Sequence, residues 1–218
     1  MWASYSVIQL GLTCVADLSM LPALTIIQKN RRHFELYVAL LHIAVSLLHN
    51  VSQSFSIPVF LTVDEWHNMS DVLWVAYFLL LCIHLLGMRD IHATMILRYV
   101  AFSLAWMAKT KDSWTSNDCS SILIGTCLAA VLVGRLAFHQ ALLPIQFPVL
   151  GYAAASGAAS MCFFALPHLF NIDEALFFTI VVPCFHLALG ATFYFGWKCV
   201  PSATPTKVWD DSLTIQFI

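Results

Sequence analysis

The sequence predicts an all-α membrane protein: a polytopic bundle of about seven transmembrane helices, N-terminus outside and C-terminus cytosolic. Three observations carry that prediction. Of the 218 residues, 60% are hydrophobic and only 10% charged, with a mean hydropathy of +0.81, and no soluble globule can hide that much apolar surface. Apolar runs of roughly 20 residues, the length a helix needs to cross a bilayer, follow one another along almost the whole chain. The basic residues fall mainly in alternate connectors, as the positive-inside rule requires.

The elements follow in order. The first run, 4–27, has no basic leader and carries Asp17 at its middle, so it reads as a retained helix and not as a cleaved signal peptide. The second, 35–55, holds His42, Ser46 and His49, and the third, 69–88, is headed by Asp71. Runs 91–108, 119–139, 145–167 and 175–198 complete the set, and they leave no length for a soluble domain, so residues 1–218 form a single seven-helix transmembrane domain. Lys29, Arg31, Arg32, Arg89, Arg135, Lys198 and Lys207 belong to one side, against Lys109 and Lys111 on the other. The loop from Val51 to Ser70, without Lys or Arg, is expected outside.

That loop contains two sequons, Asn50-Val51-Ser52 and Asn68-Met69-Ser70, each close to a helix end where a glycan is sterically awkward. A net charge of −2 gives no basic surface for nucleic acid. The expected partner is membrane lipid, and the expected location an integral, multi-pass one in the plasma membrane or endomembrane system. The cysteines show no CxxC pair and read as packing residues. Cys199, beside Lys198, is a candidate for palmitoylation.

The sixth run has a small-residue stretch, 151–160, of the kind that lets helix backbones approach closely in lipid. Ser156 within it is expected to pack, because no histidine is placed to activate it.

The polar residues of the spans are the candidates for chemistry. His42, Ser46 and His49 are spaced by four and three residues and share a helical stripe. On its own that stripe is expected to satisfy itself by interhelical hydrogen bonds. Counting inward from the outer ends of the runs places His49 ~9 Å, Asp71 ~4 Å and His186 ~16 Å deep, so the three can share the outer half of the bilayer. Pro183, one turn before His186, is expected to kink the last helix. Imidazoles with a carboxylate suit Zn²⁺, which needs three protein ligands and an open position for water. His49, Asp71 and His186 are the candidate ligands, and Asp71 is also a candidate catalytic residue holding the zinc water. Ser46 is positioned to hold a substrate oxygen or developing oxyanion. Arg98 and Asp17 are expected to be tied up in a structural ion pair. His84, His139 and His168, near span ends, are expected to be wet.

These residues resemble the pattern of the CREST superfamily of seven-helix membrane proteins, which includes alkaline ceramidases, adiponectin-type receptors and myomaker-like proteins. The pattern has a Ser and a His on the second helix, an Asp heading the third, and His-x-x-x-His on the seventh. Ser46, His49, Asp71 and His186 fall on the corresponding helices. Three further features resemble the myomaker branch: Leu21-Pro22 late in the first helix, Arg31-Arg32 in the next turn, and Glu35 where the following helix opens. Two departures stand out: Val182 occupies the position four before His186, and Ser46 is three residues from His49 instead of four. The resemblance implies an intramembrane lipid cavity with a degenerate His/Asp zinc site, and with it metal-dependent hydrolysis of a lipid amide or ester. The alternative it implies is a non-enzymatic, myomaker-like factor in membrane remodelling or cell fusion, or a lipid-binding scaffold. Other seven-helix families fit worse: the last span has no lysine for retinal, Met88-Arg89-Asp90 stands where a rhodopsin-like receptor has Asp-Arg-Tyr, and no Pro-Gln repeat is visible.

Overall fold

The structure is a computed structural model that describes residues 2–55, 57–112, 118–138, 142, 144–170, 173 and 176–200. Its helices are α1 (Trp2–Asp17), α2 (Leu21–Lys29), α3 (His33–Phe55), α4 (Val63–Leu86), α5 (Ile91–Lys111), α6 (Asp118–Ala137), α7 (Phe147–Leu169) and α8 (Val182–Cys199). A 3₁₀ turn, Leu18–Met20, joins α1 to α2, and a π turn, Phe177–Val181, leads into α8. Among the described residues seven helical stretches are long and apolar enough to cross a membrane, and α1 with α2 makes the first. A backbone in lipid must satisfy its own polar groups, which leaves helices as the natural solution for such a sequence.

The α4 helix is the hub. It packs against α3, α5, α6 and α8, while α8 also packs on α1, α2 and α7. The centre is aromatic: Tyr77 of α4 lies 4.4 Å from Phe193 and 5.9 Å from Trp197 of α8, ring centroid to centroid, and all three side chains are fully buried. Small residues set how closely α8 can approach. A Cβ on Gly196 would lie 2.7 Å from Leu81 Cδ2, and one on Gly190 would lie 2.9 Å from the backbone carbon of Ser19. The outer faces of α5, α6 and α7 carry the exposed apolar side chains expected of lipid contact, Ile96, Leu132 and Met161 among them.

Several boundaries differ from the sequence expectation, each for a local reason. The third span begins at Val63 and not at 69, because Thr62 and Glu65 form a reciprocal capping box: Glu65 N–H donates to Thr62 Oγ1 at 3.2 Å and Thr62 N–H to Glu65 Oε2 at 2.8 Å. Asp71 therefore does not head its helix; it lies eight residues in, about 12 Å along the axis. The first span is interrupted just after Asp17, and Pro22 sits in the first turn of the resumed helix, where its missing N–H costs nothing. The last span starts with the π turn that runs up to Val182-Pro183, which is how the expected distortion at Pro183 is taken up.

Candidate functional site

The interruption of the first span faces α3 and α8, and it puts one carboxylate at their junction. Ser46 Oγ and Asn50 Nδ2 both donate to Asp17 Oδ2 at 2.6 Å, and His186 Nδ1 lies 2.8 Å from Asp17 Oδ1. Next to it, Ser19 Oγ donates to the His186 carbonyl at 3.1 Å, so the 3₁₀ turn grips α8 at the residue that meets Asp17. The geometry of α3 explains the donors. His42, Ser46 and Asn50 are i, i+4 and i+8, one face of a helix, and all three are buried. Asn50 is four residues beyond Ser46, the spacing that the resemblance assigns to a histidine.

His49 belongs elsewhere. At about 100° per residue it points about 60° to the other side of Ser46, towards α4, where its ring lies 5.2 Å from that of His67. His67 Nε2 is 3.6 Å from Asp71 Oδ2, and Lys109 Nζ of α5 is 2.9 Å from the same oxygen. The structure thus divides the sequence candidates between two clusters. Ser46 and His186 join Asp17 and Asn50, whereas His49 and Asp71 join His67 and Lys109. Asp71 spends its charge on Lys109, and Ser46 is a donor to a carboxylate.

Neither cluster is arranged as a zinc shell. Among the described residues no three His, Cys, Asp or Glu side chains are grouped so as to hold a metal ion. The donor chemistry is consistent with this: Asn50, beside Asp17, offers an amide, and Val182, four residues before His186, an alkyl group, and neither binds zinc as imidazole does.

A third polar cluster lies at the opposite end of the bundle, among α3, α4, α5 and α8. Glu35 is fully buried; its Oε1 is hydrogen-bonded to His84 Nε2 at 2.6 Å and forms an ion pair with Arg98, whose Nε lies 2.8 Å away. This corrects two expectations. Arg98 pairs with Glu35 and Asp17 with His186, so the two are not each other's partners. His84 is buried and bonded, not wet. His139 and the side chain of His168 lie outside the described residues.

The remaining candidates resolve into packing. Ser156 Oγ donates to the Tyr152 carbonyl at 2.8 Å and accepts from Thr192 of α8 at 3.2 Å, as a helix-contact serine should. Asn50 is 7% exposed with its amide spent on Asp17, and Ser52 is fully buried, so this sequon is internal. Cys199 is 1% exposed, with its thiol 3.8 Å from the Gln146 carbonyl, so it presents no free surface for a lipid. Asp112 begins the connector between α5 and α6 and accepts from Cys119 N–H, Ser120 N–H and Ser120 Oγ at 2.8, 3.0 and 2.6 Å. Burial pushes the Asp112 carboxyl up, but those hydrogen bonds outweigh it and hold the group below its usual range.

Two residues of the site have little signal in the sequence. Asn50 stands out there only as a glycan acceptor, although its i+4 step from Ser46 is a usable sign of a shared face. Asp17 stands out in the sequence as an intramembrane charge in need of a partner, but not as the group that gathers Ser46, Asn50 and His186 from two other helices. Among protein families, the model described as a protein of unknown function, DUF3522, matches residues 5–175, a range that includes Asp17, Ser46, Asn50 and Asp71 and ends before His186. No curated protein matches the chain.

Proposed function

The chain belongs to the DUF3522 family, whose model covers most of its length, and for this member of it we propose, from the residues of its own site, a CREST-like, myomaker-like membrane protein that works without hydrolysis. In this reading it is a factor in membrane remodelling or a lipid-binding scaffold, and the positions of a zinc site have become a closed polar core. One observation carries it. The Asp17 carboxylate is already engaged by Ser46, Asn50 and His186, so the group best placed to activate water is consumed in holding α1, α3 and α8 together. General-base or metal-assisted chemistry needs a base or a metal-bound water within reach of a carbonyl, and Asn50 supplies neither.

A buried carboxylate that gathers side chains from two other helices fixes how the three pack, which suits a protein whose shape, and not its turnover, is used. The test is a hydrolysis assay in proteoliposomes loaded with fluorescent lipid amides and esters. The expected outcome is fatty-acid release no faster from the natural chain than from Asp17→Asn. Release that depends on zinc and disappears in His186→Ala would make the protein a hydrolase.

A further inference from the structure

The connector between α3 and α4 holds an aromatic ring almost wholly outside the protein. Phe60 is 95% exposed and adopts a φ of 65°, a conformation few non-glycine residues occupy. Across it Leu61 N–H donates to the Val59 carbonyl at 2.7 Å, which makes a γ-turn in its rarer, strained form. Such strain persists only where the surroundings impose it, and here they do. Ser52, fully buried in α3, donates its hydroxyl to the Ile57 carbonyl at 2.6 Å, and its own carbonyl accepts from Ile57 N–H at 3.2 Å. The buried Trp66 donates its indole N–H to the Val59 carbonyl at 2.8 Å, and the capping box of α4 fixes Thr62. The connector is thus clamped at Ile57, Val59 and Thr62, and the clamp turns a phenylalanine outward.

The lengths of the two helices say what the ring meets. With 23 and 24 residues, α3 and α4 are about 34 and 36 Å long, slightly more than the ~30 Å hydrocarbon core of a bilayer. Their connector therefore lies close to the hydrocarbon boundary, the zone where aromatic side chains of membrane proteins concentrate. Residues 51–63 include no charged side chain, so the tip enters that zone without burying a charge. Phe55 and Ile57 are also exposed and extend the apolar surface along the connector. A protein partner is a poorer match, because three side chains at a loop tip fall far short of the roughly 20–30 residues a side of a stable interface.

We propose that residues 57–61 are a membrane-inserting wedge, with Phe60 seated among the headgroups and upper acyl chains of the leaflet that this end of the bundle faces. Ser52 and Trp66 hold the wedge rigid, and Phe55 and Ile57 flank it. A rigid apolar tip in one leaflet spreads the headgroups around it. The proposal goes beyond the remodelling reading and does not rest on it, since insertion is measured without any assay of remodelling or hydrolysis.

The test uses the full chain in nanodiscs of dioleoyl phosphatidylcholine, one chain per disc, where both faces are open to solvent and no second membrane is present. Ile57→Cys places a thiol on the wedge with its backbone still held by Ser52, and Asp64→Cys places one on the exposed first turn of α4. The rate of reaction with a membrane-impermeant maleimide is read for each, with labelling of the natural chain subtracted. The expected result is that Ile57→Cys reacts at least fivefold more slowly than Asp64→Cys. Adding Phe60→Asp should raise the Ile57→Cys rate at least threefold and leave the Asp64→Cys rate within twofold. Phe60→Gly, which removes the ring and suits the positive φ, is the second variant and should act in the same way while the protein stays monodisperse. A difference between the two thiols smaller than fivefold, or a slow rate that neither variant raises, overturns the proposal. Protection that emerges only in discs holding two chains would mean that a second copy covers the tip, and would also overturn it.

Discussion

Ser46 on α3 donates its hydroxyl to Asp17 on α1 at 2.6 Å, and that bond sits beside the one place where the first span ceases to be an α-helix. Membrane hydrogen bonds of this kind are each worth about 0.6 kcal/mol and at most about 1.7. Ser46→Ala should therefore lower stability by that order. Asp17→Ala should lower it by about 2 kcal/mol or more, because it strands Asn50 and His186 together. Thermal unfolding in detergent, followed by size-exclusion fluorescence, measures both. Equal losses in the two variants would show that Asp17 is not the hub.

The Glu35 cluster should be less forgiving. Glu35→Ala removes a fully buried carboxylate from both His84 and the partly exposed Arg98, and losing one partner of a buried pair costs up to about 3–5 kcal/mol. The expected outcome is a chain that fails to yield monodisperse protein, read from the same size-exclusion profile.

Packing makes a prediction that charge does not. At Gly190 a Cβ would run into Ser19 Oγ and stand 2.9 Å from the Ser19 backbone, whereas at Gly151 nothing lies within 4 Å. Gly190→Ala should force α8 away from the 3₁₀ turn and lower the melting temperature. Gly151→Ala should be neutral or slightly stabilising, since alanine is the better helix former.

Asp112 supplies a pH-dependent term at the C-terminal end of α5. Its carboxyl is held below the usual range in the folded state, so its contribution is complete above the unfolded value and fades as pH falls through the lower folded one. Asp112→Ala should cost about 1 kcal/mol at neutral pH, the usual value of an N-terminal cap. At pH 3 the variant and the natural chain should differ less, which paired melts at the two pH values would show.

The sequence is most informative about what depends on composition. Seven spans and their order are readable because apolar runs of bilayer length have no other reading. The start of α4 is also within reach, since Thr62 and Glu65 carry a capping signature ahead of the hydropathy boundary at 69. The clusters are harder. His49 and Asn50 are neighbours in sequence, and only the rotation of α3 against α1 and α4 decides which of them faces Asp17. The pairing of Arg98 with Glu35 in place of Asp17 is likewise a matter of which end of the bundle each occupies, and a residue's depth in one span says nothing about its azimuth.

Zinc content is the most direct measurement of the central claim that Asn50 and Val182 have turned a metal site into a hydrogen-bonded core. Plasma mass spectrometry of the purified natural chain should find far less than one zinc per chain, and Asn50→His/Val182→His, which sets imidazoles around His186, should raise it towards one. A natural chain that already carries one zinc, and loses it in His186→Ala, would contradict the account.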